Sequence, residues 1–111
     1  MKKLIVVTLT FSFSGVAFAE TPIVVKSGVE TQVGGGWYCS QSGVPDISGM
    51  SASHGTLVLK TIPHAAPCLG NDVNGVFYTS QPGYKGSDEI FYAIKYGTKG
   101  TVRQRRLLTV E

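Results

Sequence analysis

The chain has 111 residues, 42% of them hydrophobic and 15% charged, with ten Lys and Arg against seven Asp and Glu, for a formal net charge of +3. That length holds one small domain with a thin core, and the apolar fraction excludes a disordered polar chain. Two of the ten basic residues, Lys2 and Lys3, fall in an N-terminal leader, so the remainder carries eight bases against seven acids and offers no bulk-charge basis for binding nucleic acid.

The leader is MKKLIVVTLTFSFSGVAFA. Lys2 and Lys3 form a positive n-region, Leu4 to Phe13 an apolar core, and Ala17-Phe18-Ala19 the small residues required before a signal-peptidase cut. The apolar run falls short of the about 20 residues that span a bilayer, and Ser12, Ser14 and Gly15 interrupt it. A cleaved signal over residues 1–19 is therefore expected, leaving a single domain over residues 20–111 without a transmembrane segment. The periplasm is the expected destination and secretion the alternative.

Export colours the reading of Cys39 and Cys68, the only two cysteines. An even count in an oxidising compartment points to a disulfide, which loop-closure entropy makes worth about 3–4 kcal/mol at this separation. A metal pair with His54 or His64 and two free thiols are the alternatives, but neither cysteine has the close Cys or His neighbour of a zinc site. His54 and His64 flank a strand-like run whose ends would lie about 30 Å apart, too far for one shared ion.

In chain order, Ile23 to Val25 and Val29 to Val33 are β-branched runs bracketed by Pro22 and Gly28, as suits a broken edge strand. Gly34-Gly35-Gly36 reads as a flexible joint into Trp37-Tyr38-Cys39, where the aromatic pair is expected to pack in the core beside the cystine. No GxxxxGK[ST] pattern follows to make the glycines a phosphate loop. Ser40 to Ser53 is a loop with a short strand near Asp46 to Met50. GTLVLKTIP is a strand ended by Pro63, and HAAPCLGNDVNG is a second loop. GVFYTSQ and then PGYKGSDEIFYAI follow. In the second of these, a Pro-Gly turn leads into a strand with Ile90, Tyr92 and Ile94 on one face and Phe91, Ala93 and Lys95 on the other. No stretch carries helical periodicity with caps, so the domain is expected to be all-β.

Several of these pieces resemble the immunoglobulin-like and cadherin-like modules of exported bacterial proteins. The likeness rests on His54-Gly55-Thr56, Tyr78, Pro82-Gly83-Tyr84, Gly86, Asp88, Tyr92, Gly100 and Val110, and runs mainly over His54 to Val110. Ser80 stands where the pattern has its first Pro, Ile90 where it has Phe, and Lys95-Tyr96-Gly97 where it often has an acidic Asp-Gly turn, so calcium binding does not carry over. The resemblance implies an immunoglobulin-like β-sandwich of about seven strands with one disulfide. Within the motif, Gly83 and Gly86 would allow positive φ, and Asp88 would accept backbone N–H groups to fix the loop. Tyr92 would bury its ring and find its hydroxyl a backbone partner, as in a tyrosine corner.

Catalytic chemistry is poorly supplied. Asp88 and Glu89 are adjacent on a strand and point to opposite faces, and no G-x-S-x-G motif accompanies the histidines. No enzyme activity, cofactor or metal is expected. The strongest surface feature is Lys95 to Arg106, with five basic residues and no acid. Lys95, Lys99, Arg103 and Arg105 form either a solvated edge protected by charge or a docking surface for an anionic protein or envelope component. Arg103 and Arg105 share a face, whereas Arg106 takes that of Leu108 and Val110. A bulge near Gln104 to Arg106, or an Arg106 that snorkels outward, is therefore expected. The leading expectation is a non-enzymatic binding module. A small inhibitor or immunity protein, using the loop at Ser40 to Ser53 or at Pro63 to Asn74 against a hydrolase, is the alternative. A metal- or redox-handling role is the third.

Overall fold

The computed structural model describes residues 21–111. The leader and its expected cleavage site lie outside them. Seven strands follow one another: β1 (Ile23–Val25), β2 (Thr31–Gly36), β3 (Asp46–Ala52), β4 (Gly55–Ile62), β5 (Val73–Ser80), β6 (Gly86–Lys95) and β7 (Thr101–Val110). Among the described residues the helical content is one 3-10 turn, Gly97–Lys99, and no helix is long and apolar enough to cross a membrane.

The strands form two sheets, one of four in the order β1-β7-β6-β3 and one of three in the order β2-β5-β4. All neighbours are antiparallel except β1, which runs parallel to β7 and pairs Ile23 with Leu108 and Val25 with Val110. β3, β6 and β7 thus lie in one sheet with β1, and β2, β4 and β5 in the other, an all-β fold of seven strands in two sheets.

Alternation along β6 sets the core. Ile90, Tyr92 and Ile94 are buried as their period-2 spacing requires, and Val33, Val76 and Tyr78 meet them from the facing sheet. Gly34 and Gly36 belong to β2 and are not the flexible joint expected of them. A Cβ on Gly34 would stand 2.1 Å from the Tyr92 hydroxyl oxygen, and one on Gly36 would stand 2.9 Å from Ile94 Cγ2. These glycines are absent side chains that let the second sheet approach the large residues of β6.

One alternative of the Arg106 expectation, the bulge, and the expectation for Trp37 are corrected. The register of β6 with β7 runs unbroken from Gly86 opposite Val110 to Lys95 opposite Thr101, so there is no bulge near Gln104 to Arg106. Arg106 sits opposite Ile90 on the inner face and is half-buried, with its Nε enclosed. The irregularities lie instead between Gln32 and Gly34 in β2 and between Ser48 and Ser51 in β3. Trp37 is the second: it is 38% exposed and does not pack in the core. Pro45, fully buried, and Ile94 lie against Gly36 and close the core at that end, so the chain has left the sandwich by residue 37.

Candidate functional site

Strand pairing divides the loops between two poles. At one pole the Pro82–Tyr84 turn and the β3–β4 turn meet around Asp88, which is 4% exposed. The Asp88 carboxylate accepts the Ser53 amide at 3.1 Å, the His54 amide at 3.0 Å and the Tyr78 hydroxyl at 2.6 Å. One side chain thus fixes a turn joining the two sheets and ties it to the centre of β5, so Asp88 holds a different turn from the glycine-containing one beside it. Gly83 and Gly86 adopt φ of 80° and 133°, the conformations their spacing implied. The His54 ring stacks on Tyr84 with centroids 4.2 Å apart. The hydroxyl bonded in the core is that of Tyr78, while Tyr92 brings its own over Gly34. Burial, then the hydrogen bond to Asp88 and its charge, raise the Tyr78 pKa well above the usual phenol value. The sequence motif at this pole is architecture.

The opposite pole gathers the segments 37–45, 63–72 and 96–100, and here a site is built. Cys39 and Cys68 are joined, with Cα atoms 5.4 Å apart, which settles the pairing and leaves neither cysteine for a metal. Asn71, three residues beyond Cys68, donates its amide to the Tyr38 carbonyl at 2.6 Å and to the Gln41 carbonyl at 3.1 Å. Asn74 donates to the Pro45 carbonyl at 3.0 Å. The β6–β7 turn is closed by the Tyr96 amide on the Gly100 carbonyl at 2.9 Å and the Lys99 amide on the Tyr96 carbonyl at 3.1 Å. Tyr38 and Tyr96 meet edge to face, 6.1 Å between centroids at 68°. Burial, then the neighbouring Tyr92 and Tyr38, raise the Tyr96 pKa.

Between these two anchored rims lies an open cleft of about 520 Å³, lined chiefly by Trp37, Tyr38, Gln41, Tyr96, Thr98 and Lys99. The volume is within the ordinary range for a ligand site. Its walls are aromatic, its rim neutral and hydrogen-bonding, and its lone charged lining residue is Lys99. Trp37, Tyr38 and Tyr96 were not singled out by sequence reasoning as site residues. The available signal was aromatics standing beside glycines at strand ends, in GGGWYCS and KYGTKG.

The four basic residues of the β6–β7 hairpin are divided between the cleft rim and the outer face of the four-stranded sheet. Lys99 stands on the cleft rim. Arg103 and Arg105 share the outer face of the four-stranded sheet, where Arg105 pairs with Glu89, and Lys95 lies opposite Asp46 in register. The stretch is free of acid in sequence, but β6 itself and its neighbour β3 bring Glu89 and Asp46 beside it. His54 and His64 sit at opposite poles. Among the described residues no group of three or more His, Cys, Asp or Glu is placed to hold a metal ion. No protein-family model, curated protein or solved structure matches the chain.

Proposed function

We propose that this chain is a non-enzymatic binding module of the periplasm, or of the cell exterior, that recognises a protein or envelope polymer through its cystine-bearing pole. The observation carrying this reading is the aromatic cleft held open between the 37–41 segment, tied by the Cys39–Cys68 bond and by Asn71, and the 96–100 turn, closed by its own backbone hydrogen bonds. Loops presented at one end of a rigid sandwich are where such domains carry recognition, and an exposed tryptophan beside a pre-organised loop is a strong binding anchor. The disulfide is compatible with an oxidising compartment. The strand order and the His54 to Val110 motif support kinship with the immunoglobulin-like modules of exported bacterial proteins.

The test is capture from an envelope extract by wild type and by Trp37→Ala. The variant is expected to lose the components that wild type retains. Equal capture by both would remove the cleft from the function.

One observation favours the inhibitor reading. Leu69 is 78% exposed and holds φ of 54° next to Cys68, so the stapled 63–72 loop displays an apolar side chain at its tip in a left-handed conformation unusual for leucine. In that reading Leu69→Ser abolishes inhibition of a captured hydrolase while Trp37→Ala leaves it intact.

A further inference from the structure

The cleft is specific enough in its chemistry to name what it takes. Tyr38 and Tyr96 close on each other edge to face, so no slot remains between them for a proline ring or an aliphatic side chain. Trp37, 38% exposed and the most exposed of the three aromatics, supplies the platform. Around it stand Ser40, Gln41 and Thr98, neutral side chains that both donate and accept hydrogen bonds. Lys99 adds one cation, and no Asp or Glu lines the cleft.

A ligand that satisfies all of these at once has a flat ring with an apolar face of C–H bonds, a periphery of hydroxyl or acetamide groups, and one negative charge. A pyranose carrying a carboxylate is that ligand. Its C–H face, slightly positive, lies on the negative π face of an indole, while its equatorial oxygens meet the rim and its carboxylate meets the ammonium of Lys99. A proline-rich peptide answers the aromatics but leaves Lys99 and the amphoteric rim unused. The geometry points to an acidic glycan, a chain containing carboxylated pyranose rings, as the ligand of this pole, with Trp37 as the stacking platform and Lys99 as the carboxylate partner. This rests on the cleft being the binding surface proposed above, and it names the class of polymer bound there.

Trp37 is the sole tryptophan of the chain, so its fluorescence reports directly on the platform. The probes are a disaccharide of N-acetylglucosamine and N-acetylmuramic acid, trigalacturonate, the neutral disaccharide chitobiose, and a nonaproline peptide. At least one of the two acidic sugars is expected to change the Trp37 emission saturably, with chitobiose weaker by about three- to tenfold. Lys99→Gln should bring the acidic sugar down to the neutral one and remove the salt dependence of its binding. Trp37→Ala, followed by calorimetry, should weaken binding by about tenfold or more. A circular-dichroism spectrum like that of wild type would show that both variants fold, as expected for residues outside the core.

Silence of both acidic sugars overturns the inference, as does equal binding of acidic and neutral sugars that Lys99→Gln leaves unchanged. Binding of nonaproline in their place also overturns it. The failures are separable. If the sugars fail while Trp37→Ala still abolishes envelope capture, the ligand class is wrong and the site stands. If capture survives Trp37→Ala, the site itself is wrong.

Discussion

Tyr78→Phe isolates one hydrogen bond at constant volume. Tyr78 is fully buried, and its hydroxyl lies 2.6 Å from Asp88 Oδ2. A hydrogen bond to a charged acceptor contributes about 1.5–3 kcal/mol net. Asp88 keeps the Ser53 and His54 amides after the change, so its carboxylate is not orphaned, and a loss near 2 kcal/mol is expected. For a domain of this size that lowers Tm by about 8–16 °C. Asp88→Ala goes further, because the Tyr78 hydroxyl and the backbone amides of Ser53, His54 and Glu89 all lose this acceptor, and about 3–5 kcal/mol is expected. Urea denaturation followed by circular dichroism measures both, and the double variant supplies the coupling, which should exceed about 1 kcal/mol. Additive losses, or a Tyr78→Phe change within about 0.5 kcal/mol of wild type, would refute the idea that this bond pins the turn between the sheets.

The same tyrosine sets an alkaline limit. Its folded pKa lies above its unfolded value of 10.0, as does that of Tyr96, so the native state holds protons that the unfolded chain releases. Stability should be unaffected by these groups below pH 10 and fall as pH rises above it, with a shallower fall in Tyr78→Phe; equilibrium urea titrations across that range read the slope. Gly34→Ala should destabilise by about 1–3 kcal/mol in a thermal melt, since its methyl would strike the Tyr92 hydroxyl, and a neutral result would mean that the sheets do not meet there. Replacing Lys99, Arg103 and Arg105 together by Gln should leave the melting curve nearly unchanged, because all three are exposed and such charges contribute under about 1 kcal/mol each.

What the sequence made legible follows from how local the cause is. The alternation in EIFYAI fixes which face of β6 is buried without knowledge of any partner, and a chain with two cysteines offers one intramolecular pairing. Gly83 and Gly86 mark backbone positions that only their own φ decides. Trp37 failed for the opposite reason. Whether an aromatic at the end of a strand turns in or out depends on what already fills the space, and here Pro45, from a different loop, fills it beneath Gly36. Sequence also did not show the acids that stand near the Lys95 to Arg106 stretch, because Glu89 and Asp46 are brought beside it by strand pairing. The partner of Asp88 was hidden by equivalence, since Tyr78, Tyr84 and Tyr92 all lie within ten residues of it and sequence does not say whose hydroxyl points its way.

The parallel strand β1 has a kinetic consequence. Among the described residues its only sheet neighbour is β7, and Ile23 finds its partner in Leu108, more than eighty residues later. The strand made first has nowhere to dock until the strand made last is in place. In a chain made N-terminus first, the buried face of β1 stays wet, and β6 lacks one flank, until β7 is made. High contact order of this kind slows folding to the millisecond-to-second range. Through that interval the unpaired edge of β6 is a template for strangers, which makes prompt oxidation of Cys39 and Cys68 valuable as a local tether while the four-stranded sheet waits to close.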